Sequence, residues 1–228
     1  MRHVLLVVAV AAAKKAATPR FSVIVDAGST GSRVYVYEKV EGAELSGSRG
    51  AKAAPGLAAF ADDVGGVAAH LAPFIRFARE RVPEAEWPRT PFRIYATAGM
   101  RLVARARAAA VYDACFAALA PSGFRVARRD LRTISGEDEA FFAGLAANYA
   151  MGSVDGDARR VSDVVFGALD LGGASTQIAA PARAPTGERL RAGDFSVATF
   201  LGYGVERAHA TSARRRPRRD GAFRRARL

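Results

Sequence analysis

Twice along this chain of 228 residues a short apolar run ends on an aspartate and gives way to a turn of small residues. The first instance is Val25-Asp26-Ala27-Gly28-Ser29-Thr30. The second is Leu169-Asp170-Leu171-Gly172-Gly173-Ala174-Ser175-Thr176. Apolar and aromatic residues resume at 34–40 after the first turn, and 175–180 pairs back after the second, so each reads as strand, tight turn, strand. A polyphosphate needs backbone N–H groups brought close to it, which glycine and other small residues permit, and hydroxyls to complete the cradle. Ser29, Thr30 and Gly31 in the first turn, and Gly172, Gly173, Ala174, Ser175 and Thr176 in the second, have that composition. Asp26 and Asp170 are the metal-ligand candidates, because hydrated magnesium or calcium ions prefer oxygen ligands and often keep their waters. One such turn is ordinary hairpin geometry. Two in matching contexts predict a pair of phosphate-binding hairpins that face each other.

Between the hairpins the pattern alternates. A Gly- and Ala-rich loop holding Pro55 and Gly56 leads to apolar residues at Val64, Val67, Leu71, Phe74, Ile75 and Ala78, whose spacing of three and four predicts an amphipathic helix that closes near Pro83. Residues 92–96 predict a strand, 103–120 a helix ending at Pro121, and 124–127 a short strand. A further helix is expected from Ser135 to Ala150, with Ser135 as N-cap and Glu137, Asp138 and Glu139 in the first turn, where acids favour the positive dipole end. Residues 161–171 are expected as a buried strand. Strands alternating with helices make the fold class α/β.

Four segments in this order resemble conserved regions of the apyrase, or nucleoside triphosphate diphosphohydrolase, family: DAGSTGSR at 26–33, ATAGMR at 96–101, ISGEDE at 134–139 and GALDLGGASTQI at 167–178. FLGYG at 200–204 is similar to a run that follows them in plant and protozoal members. The resemblance implies an actin-like (ribonuclease H-like) two-lobed ATPase fold with the nucleotide in the cleft. It also implies hydrolysis of the terminal phosphates of nucleoside tri- and diphosphates, with Ca2+ or Mg2+ as cofactor. By motif position it puts the catalytic base on Glu139, the positioning of the attacking water on Ser175 and Gln177, and the ordering of the metal's water shell on Thr97. Ser29, Thr30, Gly172, Gly173 and Ala174 match the phosphate loops. Taken alone, the three acids at 137–139 would read as capping residues on a solvated helix start. An exopolyphosphatase of the same fold also pairs a DxGS turn, an SGEEEA-like helix start and a DxGGxST turn. Ala140 suits that reading, whereas Ala174, Gln177 and FLGYG favour the apyrase one. The chain departs from the family at Ala140, usually Gly, and at Gly144, commonly Trp, which removes helix propensity and a packing group behind Glu139. Arg33 and Arg101 either contact phosphate or tie loops together.

The expected organisation is a signal peptide or short leader at 1–19, a first phosphate-binding lobe at 20–134, part of a second lobe carrying the second loop at 135–212, and a basic tail at 213–228. The leader's apolar run, Val4 to Ala13, is ten residues long, against about twenty needed to span a bilayer as a helix. It follows Arg2 and His3 and offers small residues at Ala9, Ala11 and Ala13, so it reads as a secretory signal. The protein is accordingly expected in the secretory pathway, secreted or in the Golgi or ER lumen, with membrane association only through this segment. The family continues past FLGYG, so the second lobe is expected to be incomplete, and a catalytically inactive relative is the alternative outcome. A formal charge of +12 would suggest a nucleic-acid partner, but eight Arg and one Asp fall in the last sixteen residues. With residues 1–212 only mildly basic, nucleoside tri- and diphosphates, not nucleic acid, are the expected partners. Cys115 is the one cysteine and reads as a core thiol; His3, His70 and His209 share no metal-ligand spacing, and Trp87 reads as a surface or packing residue.

Overall fold

The computed structural model describes residues 19–40, 44–182 and 188–206. The leader up to residue 18, the tail at 213–228, His3 and His209 lie outside the described residues. Five strands form the first sheet: β1 (Phe21–Ala27), β2 (Ser32–Glu38), β3 (Ser46–Ala53), β4 (Pro91–Ala96) and β5 (Arg125–Thr133), in the order β3-β2-β1-β4-β5. The first three make an antiparallel meander, and β4 and β5 run parallel to β1. Alternation along β1 explains its central position. Phe21, Val23, Val25 and Ala27 turn to one face, where α1 (Val67–Arg79) and α3 (Arg105–Leu119) lay Leu71, Phe74, Val111, Cys115 and Leu119 against them. Ile24 and Asp26 turn to the other. Cys115 is a core thiol as expected, its pKa pushed up to about 12 by burial. Trp87 packs against Phe124 and donates its indole N–H to the Val82 carbonyl at 2.8 Å.

A long helix, α4 (Gly136–Ala150), follows β5, and then β6 (Ala168–Leu171), β7 (Ser175–Pro181) and β8 (Phe195–Leu201) form a second, antiparallel sheet in the order β6-β7-β8. Its meander repeats that of β1, β2 and β3. α4 is held by both sheets. Phe142 joins Ile24, Tyr35, Tyr37, Tyr95 and Ile134 on the free face of the first sheet, while Ala140 and Leu145 pack with Ala179 and Phe195 of the second and with Leu190 of the segment between β7 and β8. Lower on the helix, the buried Asn148 amide donates to the carbonyls of Gly144 and Phe166, both at 2.8 Å, and accepts from the Phe166 N–H at 2.9 Å. That side chain pins the approach to β6 where no ladder exists to satisfy its backbone.

Three expectations on these elements need correction. β3 lies in the stretch read as loop: Ser46–Ala53 has no apolar alternation, because this edge strand is exposed along most of its length and is held by its backbone pairing to β2. β5 continues to Thr133, well past residue 127, since its polar second half pairs with β4 beside the site. The strand expected over 161–171 begins only at Ala168, and it is not buried: Leu169 and Leu171 are 70% and 59% exposed, on the face of the second sheet turned away from α4.

Candidate active site

The two aspartates occupy equivalent places in the two hairpins. Asp26 pairs with Arg33 across β1 and β2, and Asp170 pairs with Gln177 across β6 and β7, each just before its turn. The turns meet at their tips. A Cβ at Gly173 would lie 2.5 Å from Ser29 Oγ and 3.0 Å from Thr30 Cγ2, so a side chain there would push the Ser29 and Thr30 side chains away from this junction. FLGYG wraps the second turn from behind. The N–H groups of Gly202, Val205 and Glu206 donate to the carbonyls of Ala174, Gly172 and Gly173 at 2.8, 3.0 and 3.0 Å. Gly204 lies so near that a Cβ there would be 2.3 Å from the backbone of Gly173 and Ala174.

The helix start carrying the three acids faces this junction. Ser135 caps α4 by accepting the Asp138 N–H at 2.9 Å, as its sequence position predicts. Its first turn separates the acids: Glu137 is exposed, Asp138 is half-buried and Glu139 is buried. Arg101, at the end of the short helix α2 (Ala98–Arg101), pairs with the Glu139 carboxylate and donates from Nε to the Ile134 carbonyl at 3.0 Å. Arg101 thus ties two segments together and also sets the field at Glu139. Burial pushes the Glu139 carboxyl up to about 7 against the pull of Arg101, with the charges of Asp170 and Asp26 adding to the rise. Asp26 is pushed up to about 6, first by burial and then by Asp170, with Arg33 and Lys52 opposing.

Ser175 and Gln177 alternate onto the α4 face of β7 and are both buried. Gln177 Nε2 donates to Ser175 Oγ at 2.7 Å and lies 3.4 Å from Thr199 Oγ1. Its Oε1 is buried without a protein donor. An acceptor left in that condition costs about 1–3 kcal/mol, which a bound water or ligand would recover. Thr97 is buried where β4 leaves the sheet, its N–H donating to the Ala27 carbonyl at 3.1 Å. Thr176 is the one candidate not brought in: it points off the opposite face of β7 and donates its hydroxyl to the Tyr203 carbonyl at 2.5 Å.

The donor set suits a hard divalent ion. The charges of Asp170 and Asp26 raise the proton affinity of Glu139, and that of Asp170 raises the proton affinity of Asp26, so a cation among them would relieve that repulsion. Among the described residues no three His, Cys, Asp or Glu side chains are grouped as direct ligands of one ion. Asp26 and Asp170 are the carboxylates at the turns that could hold such an ion, which often keeps part of its water shell. A pH dependence follows. Glu139 and Asp26 bind their protons more tightly folded than unfolded, so the unfolded state binds fewer protons and stability falls as pH rises. Their contribution is whole below the ordinary carboxylate pKa values of 4.5 and 3.8 and is lost as pH climbs to about 7 and about 6. Thermal melts are expected to show Tm falling across this window, less steeply in Glu139→Gln, and recovering at neutral pH when a divalent cation is added. A Tm slope identical in the two proteins would remove Glu139 as its source.

A paired-hairpin α/β fold with two aspartate turns meeting before a buried carboxylate is an actin-like architecture. The chain belongs to the GDA1/CD39 (nucleoside phosphatase) family, whose profile matches residues 12–216. It is 39% identical to "Probable apyrase 6" of Arabidopsis thaliana over 166 residues, covering 70% of this chain and 29% of that protein. It is 37% identical to the guanosine-diphosphatase of Candida albicans over 163 residues, covering 69% and 27%. Among solved structures it is similar to the nucleoside triphosphate hydrolases of Neospora caninum, with a TM-score of 0.57 at 18% identity over 82% of this chain and 45% of that one, which supports the fold. The chain spans about a third of the length of the curated relatives it matches.

Sequence reasoning left Arg101 undecided and did not single out Lys52 or Thr199. The first pairs across 38 positions of sequence, and no local spacing announces such a contact. The departure at Gly144 has a structural answer: a Cβ there would already be 3.0 Å from the Phe195 ring and 3.3 Å from Ala179 Cβ, so Phe195 of β8 fills the space behind the helix.

Proposed function

We propose that this chain carries an apyrase-like site, hydrolysing the terminal phosphates of nucleoside tri- and diphosphates with a calcium or magnesium ion. The observation that carries the reading is Glu139: a buried carboxylate in the first turn of α4, in the electrostatic field of both turn aspartates, with a proton affinity near neutrality. A general base works best when its pKa lies near the working pH. In this reading Glu139 takes one proton of a water that attacks the terminal phosphorus, and the buried Gln177 Oε1 accepts a hydrogen bond from that water's other O–H and so fixes its orientation. Backbone N–H groups of the two turns, with Ser29 and Thr30, hold the phosphate oxygens. A divalent cation held by Asp26 and Asp170, with Thr97 nearby to order its waters, would supply neutralisation of the phosphate charge. The substrate class is supported by the named activities of the relatives, and the secretory location by the leader's composition alone.

The test is phosphate release from ATP, ADP and long-chain polyphosphate, with each metal and with chelator. Release from both nucleotides that stops with chelator is the expected result. Preference for polyphosphate would assign the site to exopolyphosphatase chemistry, and no release from soluble, folded protein would contradict the proposal.

A further inference from the structure

Resting on that reading, we infer that Lys52 is a phosphate-binding side chain of the first turn, supplied by the edge strand β3 and seated in a groove that Gly31 keeps open. Arg33 faces Asp26 across the strand pair and Arg101 pairs with Glu139, so neither cation of the motifs brings its charge to the tips of the turns, where a nucleoside triphosphate would carry several negative charges. Lys52 does. It lies opposite Arg33 in the β2–β3 register, and its Nζ donates to Thr30 Oγ1 at the tip of the turn. Its stem takes the space that a side chain at position 31 would need: a Cβ there would be 2.6 Å from Lys52 Cε and 2.6 Å from the Ala53 carbonyl oxygen. Gly31 therefore serves as the bed of a lysine, in addition to any part its N–H plays in the cradle.

The placement is exposed at the charged end and close to the chemistry. Lys52 acts on Asp26 through its charge, and Thr30 touches the space around Gly173, so the ammonium stands where the two turns meet. The ammonium has three donors and one of them goes to Thr30. The other two are available to non-bridging phosphate oxygens, charged acceptors that make a stronger bond than the neutral hydroxyl does. Arg33, the other cation on this side, is a β2 residue facing Asp26 across the strand pair, with its Nε buried and without a protein acceptor. Lys52 thus serves substrate affinity and Arg33 the carboxylate.

The test is binding of β,γ-imido-ATP with magnesium to the 228-residue chain, by calorimetry at several salt concentrations, for wild type, Lys52→Met, Lys52→Arg and Glu139→Gln. Lys52→Met is expected to weaken binding roughly tenfold and to flatten the salt dependence by about one charge, whereas Lys52→Arg and Glu139→Gln stay within about threefold of wild type. An unchanged Tm in Lys52→Met, together with rescue by arginine, separates a charge contact from a merely structural tie to Thr30. If wild type binds the analogue and Lys52→Met binds it equally well with the same salt slope, the role of Lys52 is overturned while the site reading stands. If wild type does not bind it at all, the site reading falls and takes this inference with it.

Discussion

Glu139→Gln is expected to lower the rate of phosphate release by about 10³-fold while leaving the affinity for a non-hydrolysable nucleotide within about threefold. The substitution keeps the size and the hydrogen-bonding reach of the side chain but removes the basic oxygen. Because Glu139 is buried and already holds a partner in Arg101, the amide can stay in place and still accept from the guanidinium. Packing around α4 is untouched, so a loss of rate cannot be charged to unfolding if far-UV circular dichroism and Tm stay native-like. The wild-type rate should itself rise through about pH 7, as the carboxyl loses its proton, and this limb should vanish in the variant. Full activity in Glu139→Gln would place the base elsewhere.

The second large effect belongs to the aspartate pair. Asp26→Asn or Asp170→Asn is expected to cost at least about 10²-fold in rate at a fixed magnesium concentration, with part of the loss recovered by raising the metal. The two residues hold equivalent hairpin positions and act on one another electrostatically, so the double variant should be little worse than either single one. Additive losses would mean two independent roles. Stability should move the other way: removing the Asp26 carboxyl, which burial and Asp170 make costly to ionise, is expected to raise Tm at neutral pH without metal. Metal titrations of rate and melts of the same proteins check both halves.

The hairpins were legible in the sequence because their chemistry is local: an aspartate at a strand end, a turn of small residues and a returning strand each leave a signal within a few positions. The cap at Ser135 and the core thiol at Cys115 were legible for the same reason. β3 was not, because an edge strand exposed along its length needs no apolar pattern, and its backbone pairing to β2 is invisible in composition. The strand before the second turn misled in the opposite sense. Its leucines read as buried, yet in the structure they lie on a face turned from α4. Glu139 was singled out only through resemblance, since its neighbours Glu137 and Asp138 offer the same carboxylate chemistry in sequence and burial separates them. The contacts of Arg101, Lys52 and Thr199 depend on elements far apart in the chain, so they become readable only once the sheets are assembled.

The most direct test of the account is hydrolysis of ATP by the 228-residue chain in water enriched in oxygen-18, with magnesium, followed by mass spectrometry of both products. Attack of a carboxylate-held water on the terminal phosphorus predicts one solvent oxygen in the released phosphate, none in the ADP, and loss of the labelled phosphate in Glu139→Gln. Label in the ADP, labelled phosphate formed as fast by Glu139→Gln as by wild type, or no labelled phosphate from folded protein would contradict it.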